Sequence, residues 1–143
     1  MKLFVATKAF ILHNGKVLIL RESKRYDDGS NPGQFDVPGG RVKPGQRFDE
    51  SLLREIMEET GLDVKKIRPF HVDEWRPVVK GHQWQIVGTY FICTSESDEV
   101  KTSEDHDGFR WIDPKDYQDF NLIPNVRNAF KSFLSSDDFN KLY

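Results

Sequence analysis

The chain has little of several features that identify a protein class at once. Its 143 residues include a single cysteine, Cys93, so an intramolecular disulfide is excluded. The formal net charge of −2 is far from the basic balance typical of proteins that coat nucleic acid polymers. No apolar run approaches the roughly 18 residues that a membrane-spanning helix requires. The composition therefore argues against a disulfide-stabilised scaffold, a nucleic-acid-binding surface and a membrane-spanning protein.

Internal repeats, low-complexity tracts and domain linkers are also absent from the sequence. A chain of 143 residues has room for one globular domain with a single core. We therefore expect one domain over residues 1–143, with 135–143 as a tail or contact segment. The lone cysteine is interpreted as a small buried side chain, and it fits a reducing, cytoplasmic location. The sequence leaves the oligomeric state open, and a homodimer is compatible with it.

The first third of the chain predicts a hairpin, a loop and a glycine turn. Two runs that favour β-strands, 5–12 and 16–20, flank Asn14-Gly15, a dipeptide typical of tight hairpins. Polar residues interrupt this segment, so strands are expected there and a cleaved signal peptide is not. The polar stretch 23–33 predicts a loop, and a short strand over 34–37 leads into Pro38-Gly39-Gly40.

Residues 48–60 predict an amphipathic helix that carries carboxylates on one side. Glu55, Glu58 and Glu59 fall at positions i, i+3 and i+4, so they share a helix face. Like charges at this spacing repel one another, and one reason to gather them is to bind hard divalent cations through oxygen ligands. Four apolar residues are expected on the opposite, core-facing side: Leu52, Leu53, Ile56 and Met57.

The second half of the chain alternates strands with short helices. Strands are predicted over 65–72, 84–93 and 108–112, a short helix begins at Asp113-Pro114, and a final helix follows Pro124. Four residues of the final helix are expected to face inward: Val126, Phe130, Phe133 and Leu134. This order of elements indicates an α/β layered domain with a mixed sheet.

The segment 40–62 resembles the sequence motif of the Nudix hydrolase family. Eight positions match the family pattern at the required spacing: Gly40, Arg54, Glu55, Ile56, Glu58, Glu59, Gly61 and Leu62. One position departs from the pattern, because Gln46 stands where the family has its first Glu. The resemblance covers about residues 3–134. It implies the Nudix fold, an α-β-α sandwich with a central mixed β-sheet.

The resemblance also implies an activity, the hydrolysis of a nucleoside diphosphate linked to another group with Mg²⁺ or Mn²⁺ as cofactor. The implied metal ligands are Gly39, Glu55, Glu58 and Glu59. The implied catalytic residues are Glu55, Arg54 and Glu104, the last from the acidic loop 103–107. Glu55 is the residue most suited to share the roles of ligand and general base. For His106, in the same loop, a surface histidine is the favoured interpretation.

Three residues are candidate substrate contacts. Arg21, at the end of the second predicted strand, resembles a family arginine that contacts substrate phosphates, whose geometry suits a guanidinium. Asp36 and Asn125 are matched more loosely to positions that face the nucleoside. Three aromatic residues are able to stack on a base, although aromatic residues in strands more often belong to the core: Phe35, Trp75 and Trp84.

The resemblance favours a MutT-like enzyme that converts (deoxy)nucleoside triphosphates to monophosphate and pyrophosphate. Pro77, sixteen residues beyond Gly61, favours the alternative of a pyrophosphatase for ADP-ribose or another sugar nucleotide. A third hypothesis is a non-catalytic nucleotide-binding Nudix module, which the intact glutamate set argues against. Gln46 affects the rate of hydrolysis that is expected. The rate changes little if this position only shapes the start of the helix, and it falls if the position tunes metal affinity.

Overall fold

The computed structural model describes residues 1–24 and 31–137, so parts of the predicted loop 23–33 and tail 135–143 lie outside the described residues. The strands are β1 (Lys2–His13), β2 (Lys16–Glu22), β3 (Phe35–Asp36), β4 (Gly39–Arg41), β5 (Val64–Trp75), β6 (Val78–Val79), β7 (His82–Ser95) and β8 (His106–Ile112). The helices are α1 (Phe48–Thr60), a 3₁₀ helix at Pro114–Asp119, and α2 (Pro124–Leu134). Within the described ranges, no helix combines the length and apolar character needed to cross a membrane.

The strands form one mixed sheet with β1 at its centre. The main strand order is β3-β2-β1-β7-β5, while β8 pairs with β2, β4 with β1 and β6 with β7. The β1–β2 connection is the predicted hairpin, because Asn14 and Gly15 adopt the positive φ angles of 50° and 76° that such a turn needs. β1 runs parallel to β7 from Lys2–Trp84 to Leu12–Thr94. The predicted mixed sheet is therefore confirmed.

The two α-helices cover opposite faces of this sheet. Alternate residues of β1 point to opposite sides: Phe10 belongs to a buried cluster with Phe130 of α2. Its neighbour Ile11 belongs to a second cluster, with Leu52 and Ile56 of α1. Each face of the sheet is thus sealed by one helix, which confirms the α-β-α sandwich.

Helix α1 has the predicted bounds, but its core-facing side is narrower than predicted. Leu52 and Ile56 are fully buried, whereas Leu53 and Met57 are 40% and 49% exposed. An α-helix turns about 100° per residue, so a shift of one position carries a side chain from the sheet to the flank of the helix. Glu59, three residues after Ile56, lies on the buried side instead. The expectation that Leu53 and Met57 face the core is wrong.

The strands of the second half are longer than predicted. β5 extends to Trp75 although Asp73 and Glu74 are charged, and its pairing with β7 is interrupted by register shifts near Lys65 and near Pro69. This extension carries Trp75 to the end of the sheet that β4 also reaches. In α2, Leu134 is half-buried and does not join the core as predicted. Cys93 is fully buried, as predicted.

The two adjacent leucines of α1 test this helix orientation with the same chemical change. Leu52→Ala is expected to lower the free energy of unfolding by about 2–4 kcal/mol because it leaves a cavity in the core. Leu53→Ala is expected to lower it by less than about 1 kcal/mol because its side chain is substantially exposed. Urea denaturation of both variants measures the difference, and equal losses would contradict the orientation.

Candidate active site

The turn Pro38-Gly39-Gly40 brings β4 into close contact with β1. Gly39 has a φ of +134°, and a Cβ at this position would overlap the Thr7 carbonyl oxygen and lie 2.7 Å from the Lys8 Cα. The Ala9 N–H donates to the Pro38 carbonyl oxygen at 2.8 Å and holds the turn on β1. Only glycine tolerates both this backbone conformation and this approach.

Two of the α1 glutamates lie against this turn. The Glu59 carboxylate accepts a hydrogen bond from the Gly39 N–H at 3.1 Å and the residue is 8% exposed. The half-buried Glu55 carboxylate lies beside Gly40, where a Cβ would be 3.3–3.4 Å from the carboxylate atoms. The missing side chain of Gly40 therefore leaves room for the Glu55 carboxylate, while the Gly39 N–H binds the Glu59 carboxylate directly.

Glu58 lies on the exposed side of α1, where Arg54 connects it to Glu55. The Arg54 guanidinium is 3.2 Å from a Glu58 carboxylate oxygen and 3.5 Å from one of Glu55. The positive charge offsets part of the repulsion between the two glutamates. Gln46 contributes locally, because its side-chain oxygen accepts the Lys43 N–H at 3.2 Å in the turn before α1.

Burial raises the pKa of Glu59 to about 8. The Lys8 charge and the Gly39 N–H oppose this rise in the pKa, while the negative charges of Glu55 and Asp36 add to it. A nearby cation would stabilise the ionised form of this buried carboxylate, because little other positive charge surrounds it.

The oxygen donors of α1 and the turn fit a hard divalent cation such as Mg²⁺ or Mn²⁺. They are the carboxylates of Glu55, Glu58 and Glu59 and the carbonyl of Gly39. Among residues 1–24 and 31–137, however, no three His, Cys, Asp or Glu side chains are already gathered in a metal-binding arrangement. Arg54 holds Glu58 to one side, so Glu58 must leave Arg54 to join the other donors around a cation.

A cavity opens beside Gly39 and Glu59. Its volume is about 160 Å³, less than the about 300–1,000 Å³ typical of sites for whole ligands, so it has room for only part of a ligand of that size. Its apolar lining consists of Ala6, Trp75, Pro77, Val79, Trp84, Ile86 and Ile123. Its polar lining includes Lys8, Glu22, Asn31, Asp36, Arg41, Asp105, His106 and Asn125.

The structure brings two of the three predicted substrate contacts to this cavity. Asp36 and Asn125 both line it. Arg21 does not belong to the lining, and its Nε donates to the Asp107 carboxylate at 2.6 Å. Trp75 and Trp84 are lining residues, whereas Phe35 packs at the margin of the α2-side core.

The acidic loop reaches the cavity through residues other than the predicted one. Glu104 is exposed, and Asp105 and His106 line the cavity instead. Burial of His106 lowers its pKa, and the Lys8 charge adds to that effect. The surface interpretation of His106 is therefore wrong, while the catalytic role of Glu104 stays a prediction.

Two further lining residues were missed by the sequence reasoning. Lys8 is the one charged side chain in the apolar run 5–12, which is a usable signal for a functional residue. Arg41 follows Gly39-Gly40 directly, and its guanidinium carbon lies 4.7 Å and 4.5 Å from the ring centroids of Phe4 and Trp84. No local sequence pattern predicts Arg41 as a lining residue, because its two ring partners, Phe4 and Trp84, are brought together only by the β1–β7 pairing.

Known proteins share both the sequence and the fold of this chain. Nucleoside triphosphatase NudI of Escherichia coli strain K12 is 35% identical over 112 residues, which are 73% of this chain and 79% of NudI. The crystal structure of a MutT protein from Methanosarcina mazei Go1 superimposes with a TM-score of 0.78 at 26% identity, covering 92% of this chain and 93% of that one. A MutT NUDIX hydrolase from Burkholderia pseudomallei gives a TM-score of 0.74 at 20% identity, covering 92% and 98% of the two chains, and shows the common fold alone.

The α-β-α sandwich of this chain, with its acidic helix packed on a glycine turn, is the type of domain that carries the Nudix motif. The family model for the NUDIX domain matches residues 2–133. The chain therefore belongs to the Nudix hydrolase family, an enzyme family whose members generally use divalent metal ions.

The raised pKa of Glu59 predicts a pH-dependent stability of the metal-free protein. Because the pKa rises from 4.5 to about 8 on folding, ionisation of Glu59 destabilises the fold progressively between those pH values. In the presence of a chelator, Glu59→Gln is expected to be more stable than the wild type by on the order of 1–4 kcal/mol at pH 8.5, with the difference shrinking towards pH 5. Chemical denaturation across this range measures the effect.

Glu58→Gln provides the matched control, because it makes the same change at an exposed neighbouring position. It is expected to show little gain in stability with rising pH. A flat pH profile for the Glu59→Gln difference would contradict the burial of an ionisable carboxyl at this position.

Proposed function

We propose that this protein hydrolyses (deoxy)nucleoside triphosphates to monophosphate and pyrophosphate with Mg²⁺, Mn²⁺ being an acceptable substitute. The proposal rests on one juxtaposition: Glu55 and Glu59 lie against the Gly39-Gly40 turn, and a cavity with polar and apolar lining residues opens beside it. The similarity to NudI, named a nucleoside triphosphatase, supports a triphosphate as substrate.

The proposed metal ligands are the Gly39 carbonyl, Glu55, Glu58 and Glu59. A divalent cation held there supplies positive charge that offsets the charge developing on phosphate oxygens. Glu55, half-buried beside Gly40, is also the proposed general base, accepting a proton from the attacking water. Arg54 contacts Glu55 and Glu58. Its proposed role is to position Glu55, since Glu58 must leave Arg54 to bind the cation.

The proposed substrate contacts divide between the two ends of the nucleotide. Asp36 and Asn125 line the cavity and are assigned to the nucleoside. Arg21 is assigned to the phosphates, for which it must exchange its ion pair with Asp107. We further propose that residues 1–143 act as one Nudix domain and that the protein is cytoplasmic, which the single buried cysteine supports.

A second candidate function is a pyrophosphatase for ADP-ribose or another sugar nucleotide. It is favoured by Pro77, which lies in the cavity lining. The third hypothesis, a non-catalytic binding module, is opposed by the retention of Glu55, Glu58 and Glu59, since both Glu55 and Glu59 lie at the turn.

A hydrolysis screen separates these functions. Nucleoside triphosphates, ADP-ribose, sugar nucleotides and dinucleoside polyphosphates are incubated with the protein and Mg²⁺, and products are resolved as phosphate or pyrophosphate. Release of pyrophosphate from triphosphates is expected. Cleavage of ADP-ribose alone would select the second function, and inertness with Mg²⁺ and Mn²⁺ would contradict hydrolysis.

Variants of the acidic helix connect this activity to the site. Glu58→Gln and Glu59→Gln are each expected to lower turnover by at least about two orders of magnitude, since removing a metal ligand removes charge stabilisation. Glu50→Gln, an exposed change in the first turn of α1, is the control and should retain activity. Near-normal turnover in Glu59→Gln would remove that carboxylate from the mechanism.

The acidic loop offers a second matched pair. If Glu104 supplies the catalytic carboxylate, Glu104→Gln is expected to lower kcat by about tenfold or more, and Asp105→Asn should mainly raise KM because Asp105 lines the cavity. Steady-state kinetics of both variants measure the split. A normal kcat in Glu104→Gln would exclude Glu104 from catalysis.

A further inference from the structure

Two hydroxyl groups are buried in the same part of the fold as the acidic helix. Thr7 of β1 and Ser51 of α1 are each 2% exposed. Neither side-chain oxygen is reached by solvent, and neither has a hydrogen-bond partner within residues 1–24 and 31–137. A buried hydroxyl that is left unpaired costs free energy. Because nearly all buried polar groups of native proteins are paired, two unpaired hydroxyls need a physical reason.

Thr7 lies directly opposite Gly40. The two residues are paired in the antiparallel β1–β4 ladder, and side chains at opposed positions share one face of a sheet. For Thr7 this is the α1 side, because Ala9 and Ile11, at alternate positions of β1, pack there. The Glu55 carboxylate lies 3.3–3.4 Å from the place where a Gly40 Cβ would be. The Thr7 hydroxyl and the Glu55 carboxylate therefore flank the space that the missing Gly40 side chain leaves open.

Ser51 lies next to the same carboxylate within α1. It precedes Glu55 by four residues, so the two side chains are neighbours on one face of the helix, with Cβ atoms about 5–6 Å apart. Four residues after Glu55, the Glu59 carboxylate binds the Gly39 N–H. This row of α1 therefore faces the glycine turn, and it carries one hydroxyl and two carboxylates.

The Glu55 carboxylate has acceptor positions for both hydroxyls. Its side chain is 21% exposed, and its ion pair with the Arg54 guanidinium is long, at 3.5 Å. Within the described ranges it accepts no hydrogen bond, although a carboxylate offers about four acceptor positions. Two buried donors without acceptors thus lie next to a carboxylate whose acceptor positions are open.

We propose that Thr7 and Ser51 are positioning residues, which donate hydrogen bonds to the Glu55 carboxylate when Glu55 binds the divalent cation. Neither residue lines the cavity, so neither touches the substrate. In the metal-free protein the Glu55 carboxylate is paired with Arg54 instead, which accounts for the unpaired hydroxyls. Hydrogen bonds to a metal ligand from outside the coordination sphere fix its orientation and strengthen metal binding. This inference rests on the proposed function, because it takes Glu55 as a metal ligand.

Thr7→Val tests this role, because it removes the hydroxyl and keeps the branched shape of the side chain. The Mg²⁺ dissociation constant is measured by isothermal titration calorimetry without nucleotide, and kcat and KM are measured at saturating Mg²⁺. Thr7→Val is expected to raise the Mg²⁺ dissociation constant by about tenfold or more and to lower kcat, with little change in KM. Ser51→Ala is expected to act in the same direction. Thr7→Ser keeps the hydroxyl and should retain most of the Mg²⁺ affinity.

The stability of the metal-free protein separates a positioning role from a structural one. Because the Thr7 hydroxyl is unpaired without the cation, Thr7→Val should leave the thermal denaturation midpoint in a chelator unchanged or raise it. The loss of a structural hydrogen bond would lower this midpoint instead. Thr89→Val is the matched control, since half-buried Thr89 pairs with Thr7 on the side of β1 away from Gly40. It should leave the Mg²⁺ affinity unchanged.

The outcomes distinguish this inference from the proposed function. Wild-type Mg²⁺ affinity in both Thr7→Val and Ser51→Ala would overturn the positioning role and leave the proposed metal site intact. So would an equal loss of affinity in Thr7→Val and Thr7→Ser, or a lower midpoint of metal-free Thr7→Val, because either result would assign the side chain a structural role. Failure of the wild type to bind Mg²⁺ or Mn²⁺ would overturn the proposed metal site and this inference with it.

Discussion

The hydrogen bond from the Gly39 N–H to the buried Glu59 carboxylate is the contact on which the site depends. It forms because Gly39 lacks a side chain, which lets β4 approach the backbone of β1. In the same orientation of α1, Leu52 and Ile56 are buried in the core and Glu55 lies beside Gly40. The packing of β4 on β1 and the placement of the carboxylates therefore both depend on Gly39 and Gly40.

The charge of Lys8 links the acidic helix to Asp36 in the cavity lining. Lys8 lies close enough to Glu59 to lower its pKa against the effect of burial, and it forms an ion pair with Asp36. One ammonium thus serves two neighbouring carboxylates in a partly desolvated space, where electrostatic interactions are strong. Lys8, Asp36 and Glu59 therefore form one connected set of charges next to the Gly39-Gly40 turn.

Local signals explain which parts of the fold were predictable from the sequence. Asn14-Gly15 predicts the hairpin, and the spacing of the glutamates predicts a shared helix face, because both depend on residues adjacent in the chain. The burial of Glu59 and the exposure of Leu53 depend on how α1 is rotated against the sheet, which no pattern within the helix specifies. Trp75 reaches the cavity lining through the extended β5–β7 pairing. This pairing is a long-range contact with register shifts, so no local sequence pattern predicts it.

The central claim is that the buried Glu59 carboxylate is a ligand of a divalent cation. Its most direct test is the thermal denaturation midpoint at pH 8, measured without nucleotide while Mg²⁺ is titrated into the wild type and Glu59→Gln. A cation that binds only the folded state raises the midpoint, so Mg²⁺ should stabilise the wild type and have much less effect on the variant. Equal shifts in both proteins, or no shift in the wild type with either Mg²⁺ or Mn²⁺, would contradict the claim.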